Sequence, residues 1–235
     1  MIPLHDDNPT SSFPILTILL IAVCVLVYFI QAGLGPRGGE TIIYSLGVIP
    51  AVLLDKVELS RDLVLIPAEL TVLTSMFLHG GFLHLAGNML YLWIFGNNIE
   101  DALGKFRFLI FYFVCGIVAA FGQIMQDPAS TIPMIGASGA ISGVLGAYML
   151  LYPHARILVL VPLGFYMQMM KIPAGWVLGF WFVLQLLSSV LTGSEGGGVA
   201  WFAHIGGFLA GMVLVPVLKR KQVRLFQPGR SRQRW

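Results

Sequence analysis

Ala203-His204-Ile205-Gly206-Gly207-Phe208-Leu209-Ala210-Gly211 is an apolar, glycine-rich stretch that carries a histidine near its start. About 65 residues earlier stands Gly136-Ala137-Ser138-Gly139, also at the head of an apolar run. A histidine within a lipid-spanning segment is costly, which makes it a functional candidate by default. A serine beside glycines at the start of another span gives that histidine a hydroxyl to activate. The pair points to a hydrolase whose active site lies inside a membrane.

Composition supports the membrane setting. The chain has 235 residues, of which 57% are hydrophobic and 11% charged, and its mean hydropathy is +0.84. Soluble domains carry about 25% charged residues. The length suits one domain, and the apolar runs leave no room for a separate soluble one. The 2 cysteines, Cys24 and Cys115, sit within different apolar segments and read as small buried hydrophobes, without disulfide or redox spacing. The first apolar run is long for a signal-peptide core, lacks an A-x-A-like cleavage site and has no basic residue before it, so it reads as a retained span.

Six stretches have the length and apolarity expected of spans: Phe13–Gln31, Phe82–Gly96, Phe106–Gln126, Ser138–Tyr152, Ile172–Leu191 and Val199–Leu218. The expected fold is therefore an all-α integral membrane protein of six transmembrane helices. Residues 1–12 form an N-terminal tail, 13–218 the membrane domain and 219–235 a basic tail. The second and fourth stretches measure only about 22 Å at 1.5 Å per residue. One end of each is thus expected below the surface, in protein or a water-filled pocket.

Charge orients the bundle. Lys105, Arg107, Arg156, Lys171, Lys219, Arg220, Lys221, Arg224, Arg230, Arg232 and Arg234 fall on one side, leaving Arg37, Lys56 and Arg61 on the other with Glu40, Asp55, Glu58, Asp62, Glu69, Asp127 and Glu195. The positive-inside rule then places both termini in the cytoplasm. The connection from Ala32 to Gly81 is too long for a turn. Its apolar pieces, Ile42–Leu54 and Leu63–Phe77, read as short helices in the outer interface. The tail from Lys219 is a topology anchor with attraction for anionic lipid, and no folded basic domain suggests nucleic-acid binding.

In this topology the fourth and sixth spans run parallel, outside to inside. Counting up from their inner ends puts both Ser138 and His204 at about 21 Å. His84, counted from Gly96 on the second span, comes to about 18 Å. Below Ser138 run Gly139, Ser142, Gly143 and Gly146; below His204 run Gly207, Phe208 and Gly211. Small residues at four-residue spacing let helices approach closely in lipid, so Gly139, Gly143, Gly207 and Gly211 are candidate packing positions.

The polar residues then take candidate roles. Ser138 is the nucleophile if a base takes its proton, and otherwise a serine bonded back to its own helix. Its helix N-terminus offers free N–H groups to a forming oxyanion. Ser142, one turn deeper, is a rival better suited to packing. His204 is the candidate base. No acidic residue lies within the spans to complete a Ser-His-Asp arrangement, so a dyad remains. His84 and Asn88 share a helix face and can donate to an oxyanion, or else bond neighbouring helices. His79 and His84 lack the spacing and the carboxylate of a zinc site, so neither a metal nor another cofactor is expected.

Taken together, these strings resemble the rhomboid family of intramembrane serine proteases. The residues that carry the resemblance are His84-Leu85-Ala86-Gly87-Asn88, Gly136-Ala137-Ser138-Gly139, Ala203-His204-Ile205-Gly206-Gly207 with Gly211, and the acidic-to-glycine turn Ile99-Glu100-Asp101-Ala102-Leu103-Gly104. The resemblance runs from about residue 13 to 218. It implies a bare six-span rhomboid-like bundle with a long interfacial loop between helices 1 and 2, suited to a bacterial cytoplasmic membrane. It further implies Ser138 as nucleophile, His204 as base, and His84, Asn88 and the Ser138 amide as oxyanion hole. The implied substrates are membrane-spanning proteins, cut near the outer surface at a small residue in a helix-weak segment. Two features depart from the family pattern: the first loop lacks a Trp-Arg pair, and Ser142 stands where some members stack an aromatic ring on the histidine. An inactive relative that binds membrane proteins is the alternative, although it should have lost Ser138 or His204. A transporter or channel would want intramembrane charges or inverted repeats.

Overall fold

Glu100 organises one end of the helix bundle. In a computed structural model describing residues 1–164, 166–192 and 199–227, its buried carboxylate accepts from the backbone N–H groups of Leu16 and Thr17 at 3.1 and 2.8 Å. It also accepts from the Thr17 hydroxyl at 2.8 Å. These donors open helix α1 (Ile15–Gly33), whose first N–H groups have no partner within the helix. A carboxylate therefore belongs there on both hydrogen-bonding and dipole grounds. Glu195 and the tail residues Arg230, Arg232 and Arg234 lie outside the described residues.

After α1 come α2 (Gly35–Leu46), α3 (Pro50–Leu53) and α4 (Ala68–Thr74), then a 3₁₀ turn at Ser75–Phe77. This long connection is tied to the segment ahead of the serine. Val48 and Met134 exchange backbone hydrogen bonds at 3.1 and 2.8 Å, and the Ala51 N–H donates to the Ser130 carbonyl at 3.0 Å.

The chain then bends by 80° into the helical stretch Phe82–Leu103. This comprises α5 (Phe82–Tyr91), a π-helical turn at Leu92–Gly96 and α6 (Asn97–Leu103). The second span read from sequence stopped at Gly96, so its predicted shortness is corrected: the helix continues for about 10 Å more. Asn97, Asn98, Glu100 and Asp101 interrupt the apolar run, but the structure gives all four partners, Asn97 Oδ1 accepting from the Asn98 N–H at 2.7 Å. Asn98 donates to the Asn8 carbonyl at 2.8 Å, Glu100 caps α1, and Asp101 accepts from the hydroxyls of Ser11 and Ser12 at 2.9 and 2.7 Å.

Helices α7 (Lys105–Gln126), α8 (Ser138–Leu151), α9 (Ala174–Thr192) and α10 (Trp201–Leu218) complete the bundle. By length and composition, α1, α7, α9 and α10 can each cross a membrane, and a fifth crossing follows if the bent pair is one span. Helix α8 has only 14 residues. Its side chains are nevertheless mostly buried, because α10 and α7 pack along it and α9 lies beside it. Tyr112, Tyr148, Phe95, Phe108, Phe111 and Phe208 are fully buried in the resulting core.

The all-α expectation also needs correcting. The chain is mostly helical, but β1 (Ile2–Asp6), β2 (Arg156–Leu163) and β3 (Tyr166–Pro173) form an antiparallel sheet in the order β1-β2-β3. The apolar residues between the fourth and fifth stretches pair as a hairpin from Arg156↔Pro173 to Leu163↔Tyr166. Alternate residues of β2, Ile157 and Val159, are fully buried, the period expected of a strand with one covered face. Asp6 on β1 accepts from the Tyr148 hydroxyl of α8 at 2.7 Å. Burial raises the Asp6 carboxyl above its ordinary range, against the lowering effect of that bond.

Candidate active site

Gly136 sets the entrance to α8. Its φ of +121° lies in the region that L side chains rarely adopt, and its N–H donates to the Ser75 carbonyl at 2.9 Å. Space forbids a side chain there as well, since a Cβ on Gly136 would fall 2.8 Å from His84 Nε2. Two residues later α8 begins with Ser138, beside the unpaired N–H groups of the helix's first turn.

Helices α8 and α10 run parallel, and their glycines let the backbones meet. A Cβ on Gly207 would overlap the Gly139 carbonyl, one on Gly211 would overlap the Gly143 carbonyl, and one on Gly146 would overlap the Phe208 carbonyl. Gly143 is pinned on its other side, where a Cβ would come within 2.5 Å of Cys115 on α7. Gly211 thus meets the backbone of Gly143, between Ser142 and Gly146 on α8. Ser142 turns inward, is 1% exposed, and donates its hydroxyl to the Ser138 carbonyl at 2.7 Å.

This contact carries Ser138 and His204 to the same level. His204 Nε2 and Ser138 Oγ stand 2.9 Å apart. On the other side of the ring, His204 Nδ1 lies 2.8 Å from Gln185 Oε1, on α9. Trp181 and Trp201 flank the imidazole, with ring centroids 6.0 and 6.2 Å away. Ser142 holds the position one turn after the serine, and the aromatic rings beside His204 come from α9 and α10 instead.

A cavity of about 650 Å³ opens over the pair, lined among others by His84, Asn88, Gln123, Ser138, Trp181 and His204. Asn88 is buried, and its side-chain N–H₂ has no hydrogen-bond partner among the described residues. A buried donor without an acceptor costs about 1–3 kcal/mol, so an unpaired one at a cavity wall is a place for a ligand oxygen. The Gly80 N–H approaches His84 Nδ1 at 3.4 Å, which leaves His84 Nε2 facing Gly136. The sequence count placed His84 level with Ser138 by treating Gly96 as the helix end. In the structure both residues line the cavity, and the helix that carries His84 continues to Leu103, with Glu100 reaching the start of α1.

His79 does not join this group. It is fully buried, its Nδ1 lies 3.3 Å from the Phe77 carbonyl, and its ring packs edge-on against His84 at 5.1 Å. Among the described residues, no three His, Cys, Asp or Glu side chains gather as metal ligands. Sequence reasoning missed Gln185, Trp181 and Gln123, whose Oε1 accepts from the Phe202 N–H at 3.1 Å where α10 begins. The available signal was a lone amide in an apolar span, by the rule that singled out His204.

Chemically, the arrangement offers a hydroxyl hydrogen-bonded to an imidazole, a helix N-terminus beside that hydroxyl, and an unpaired amide donor across the cavity. Comparison with known proteins gives the same direction. The rhomboid domain family matches residues 68–221. Mitochondrial rhomboid protein 1 of Saccharomyces cerevisiae is 31% identical over 180 residues, covering 70% of this chain and 48% of that protein. Rhomboid protease GluP of Bacillus subtilis is 32% identical over 202 residues, or 86% of this chain and 35% of GluP. The human mitochondrial presenilin-associated rhomboid-like protein is 30% identical over 146 residues, 60% of this chain and 36% of its own length. The chain thus spans half or less of the length of these relatives.

Proposed function

The chain belongs to the rhomboid family, and on that premise we propose that it is an intramembrane serine endopeptidase with Ser138 as nucleophile and His204 as general base. The observation that carries this reading is the 2.9 Å contact between Ser138 Oγ and His204 Nε2 at the wall of the cavity. Ser138 Oγ attacks a peptide carbonyl while His204 Nε2 takes its proton. Charge develops on the carbonyl oxygen, where the Ser138 N–H, Asn88 Nδ2 and His84 Nε2 can donate to it. The protonated His204 then gives its proton to the leaving amine, and water cleaves the acyl-enzyme by the same route in reverse.

The reading extends to topology and substrate. Six spans within residues 13–218 follow if α8 counts as one, its short length being covered by protein at the serine end. Both termini then face the cytoplasm, and residues 34–81 form the outer interfacial connection. Substrates are transmembrane proteins, cut near the outer face of a bacterial cytoplasmic membrane. That Ser138, His84, Asn88 and His204 line one cavity supports a working site over an inactive binding role.

Reconstitution into liposomes with a transmembrane substrate carrying a small residue in a helix-weak segment tests the reading. The expected result is cleavage at that segment, blocked by a chloroisocoumarin that modifies Ser138. A folded protein that neither cuts such substrates nor reacts at Ser138 would overturn it.

A further inference from the structure

We propose that Gln185 is the positioning residue of His204, completing a Ser138–His204–Gln185 relay in which a neutral amide fills the place that a carboxylate holds in soluble serine proteases. The inference rests on the Ser138–His204 reading above and goes beyond it.

The argument runs through hydrogen-bond direction. Gln185 is 7% exposed and lies on α9, across from His204 on α10. Its Nε2 is 3.4 Å from the Trp181 carbonyl, one turn earlier on the same helix. A carbonyl only accepts, so that end of the amide must be the N–H₂ donor. The reversed amide would set two oxygens against each other. With Nε2 held by Trp181, Oε1 faces His204 Nδ1 at 2.8 Å. An amide oxygen only accepts, so Nδ1 must carry the proton and Nε2 must present its lone pair to Ser138 Oγ, 2.9 Å away.

That is the tautomer a general base needs. The opposite one would point an N–H at the serine and leave it unactivated, as happens in a soluble triad when the orienting carboxylate is replaced so that the wrong tautomer is held. An amide also suits the surroundings. A carboxylate in a span would have to be paired or desolvated at high cost, whereas Gln185 orients the ring without adding charge. Tautomer and ring angle are both fixed, with Trp181 on the same helix covering the imidazole. Among the described residues, the other titratable group that acts on His204 is His84. It stands on α5 with no contact to Nδ1, so the orienting task falls to Gln185.

The test uses full-length protein in detergent and in liposomes. Three quantities are measured across pH: turnover of a transmembrane substrate, its KM, and the rate at which a fluorophosphonate labels Ser138, read by mass spectrometry. Gln185→Leu keeps the volume and removes the acceptor. It should lower kcat and the labelling rate together by at least about 10- to 100-fold, the scale found when the orienting partner of a metal-bound histidine is removed, with KM little changed. Gln185→Glu restores an acceptor oxygen and should recover much of the rate. It should also move the acidic limb of the kcat/KM profile to higher pH, because a carboxylate holds the imidazole's proton more tightly. A residue that merely packed would leave that limb in place.

Wild-type rates and an unshifted profile in both folded variants would overturn the role of Gln185 while leaving the dyad standing. If Gln185→Leu does not fold, the Gln185→Glu profile decides alone. Wild-type protein that cleaves substrate without labelling at Ser138 would instead remove the dyad reading, and the inference with it.

Discussion

His204 Nε2 stands 2.9 Å from Ser138 Oγ, and among the described residues no other serine bonds to it. Ser142, the nearest rival along α8, is buried and donates its hydroxyl hydrogen bond to the Ser138 carbonyl. Ser138→Ala should therefore abolish cleavage of a transmembrane substrate and leave the fold intact. A loss of about 10⁶ in kcat is the scale found when such a serine is removed. Turnover of the purified variant against wild type checks it. Residual activity carried by Ser142 would show that the nucleophile has been misassigned.

Chelation should leave activity untouched. His79 and His84 sit with rings 5.1 Å apart, yet among the described residues they gather no third metal ligand. A tetrahedral zinc site needs at least three protein ligands. Activity in EDTA should match the untreated enzyme, while fluorophosphonates and chloroisocoumarins should block it. Loss in EDTA with recovery on adding zinc would point to the histidine pair instead.

Asn88→Ala should slow the chemistry without changing the bond that is cut. The side-chain N–H₂ of Asn88 is buried without a partner beside the cavity that Ser138 lines. An oxyanion donor contributes only once charge develops, and removing one costs about 10² to 10³ in kcat. Single-turnover rates together with product mass spectrometry measure both effects. An unchanged rate would reduce Asn88 to a packing residue.

What sequence reveals here is set by how unusual a residue is for its surroundings. Ser138, His204, His84 and Asn88 stand out because polar groups inside apolar spans are few. Gln185 is equally polar, but it belongs to no string and its imidazole partner lies 19 residues on, so its meaning appears only when α9 and α10 pack. The helix beyond Gly96 was hidden for the opposite reason. Asn98, Glu100 and Asp101 look like a loop until residues 83–90 positions away supply their hydrogen bonds. The sheet was hidden as well, because alternation in Ile157–Val161 is masked where both faces are apolar, and its partner β1 lies at the far end of the chain.

Glu100→Ala should weaken the fold more than the chemistry. Three donors at the start of α1 converge on this carboxylate. Hydrogen bonds to charged groups contribute about 1.5–3 kcal/mol, and buried donors left without an acceptor add to the loss. The variant's unfolding midpoint in detergent should fall, while the fraction that stays folded should keep near-normal kcat. An unchanged midpoint would mean that the cap contributes little.

Gly211→Leu should damage catalysis through geometry although Gly211 lies two turns from His204. Any Cβ at this position overlaps the Gly143 carbonyl and comes within 2.7 Å of Gly143 Cα. These are backbone atoms, so the clash cannot be relieved by a rotamer change. Gly143 cannot simply retreat either, because its other side is closed by Cys115 of α7. Helix α10 must therefore move away from α8, carrying His204 with it. A displacement of about 1 Å can cost on the order of 10² in rate. Gly211→Ala should show the same loss in milder form, since it introduces the same first carbon. Turnover of both variants, alongside proof of folding, decides the matter: full activity in well-folded Gly211→Leu protein would mean that the α8–α10 contact does not set the distance between Ser138 and His204.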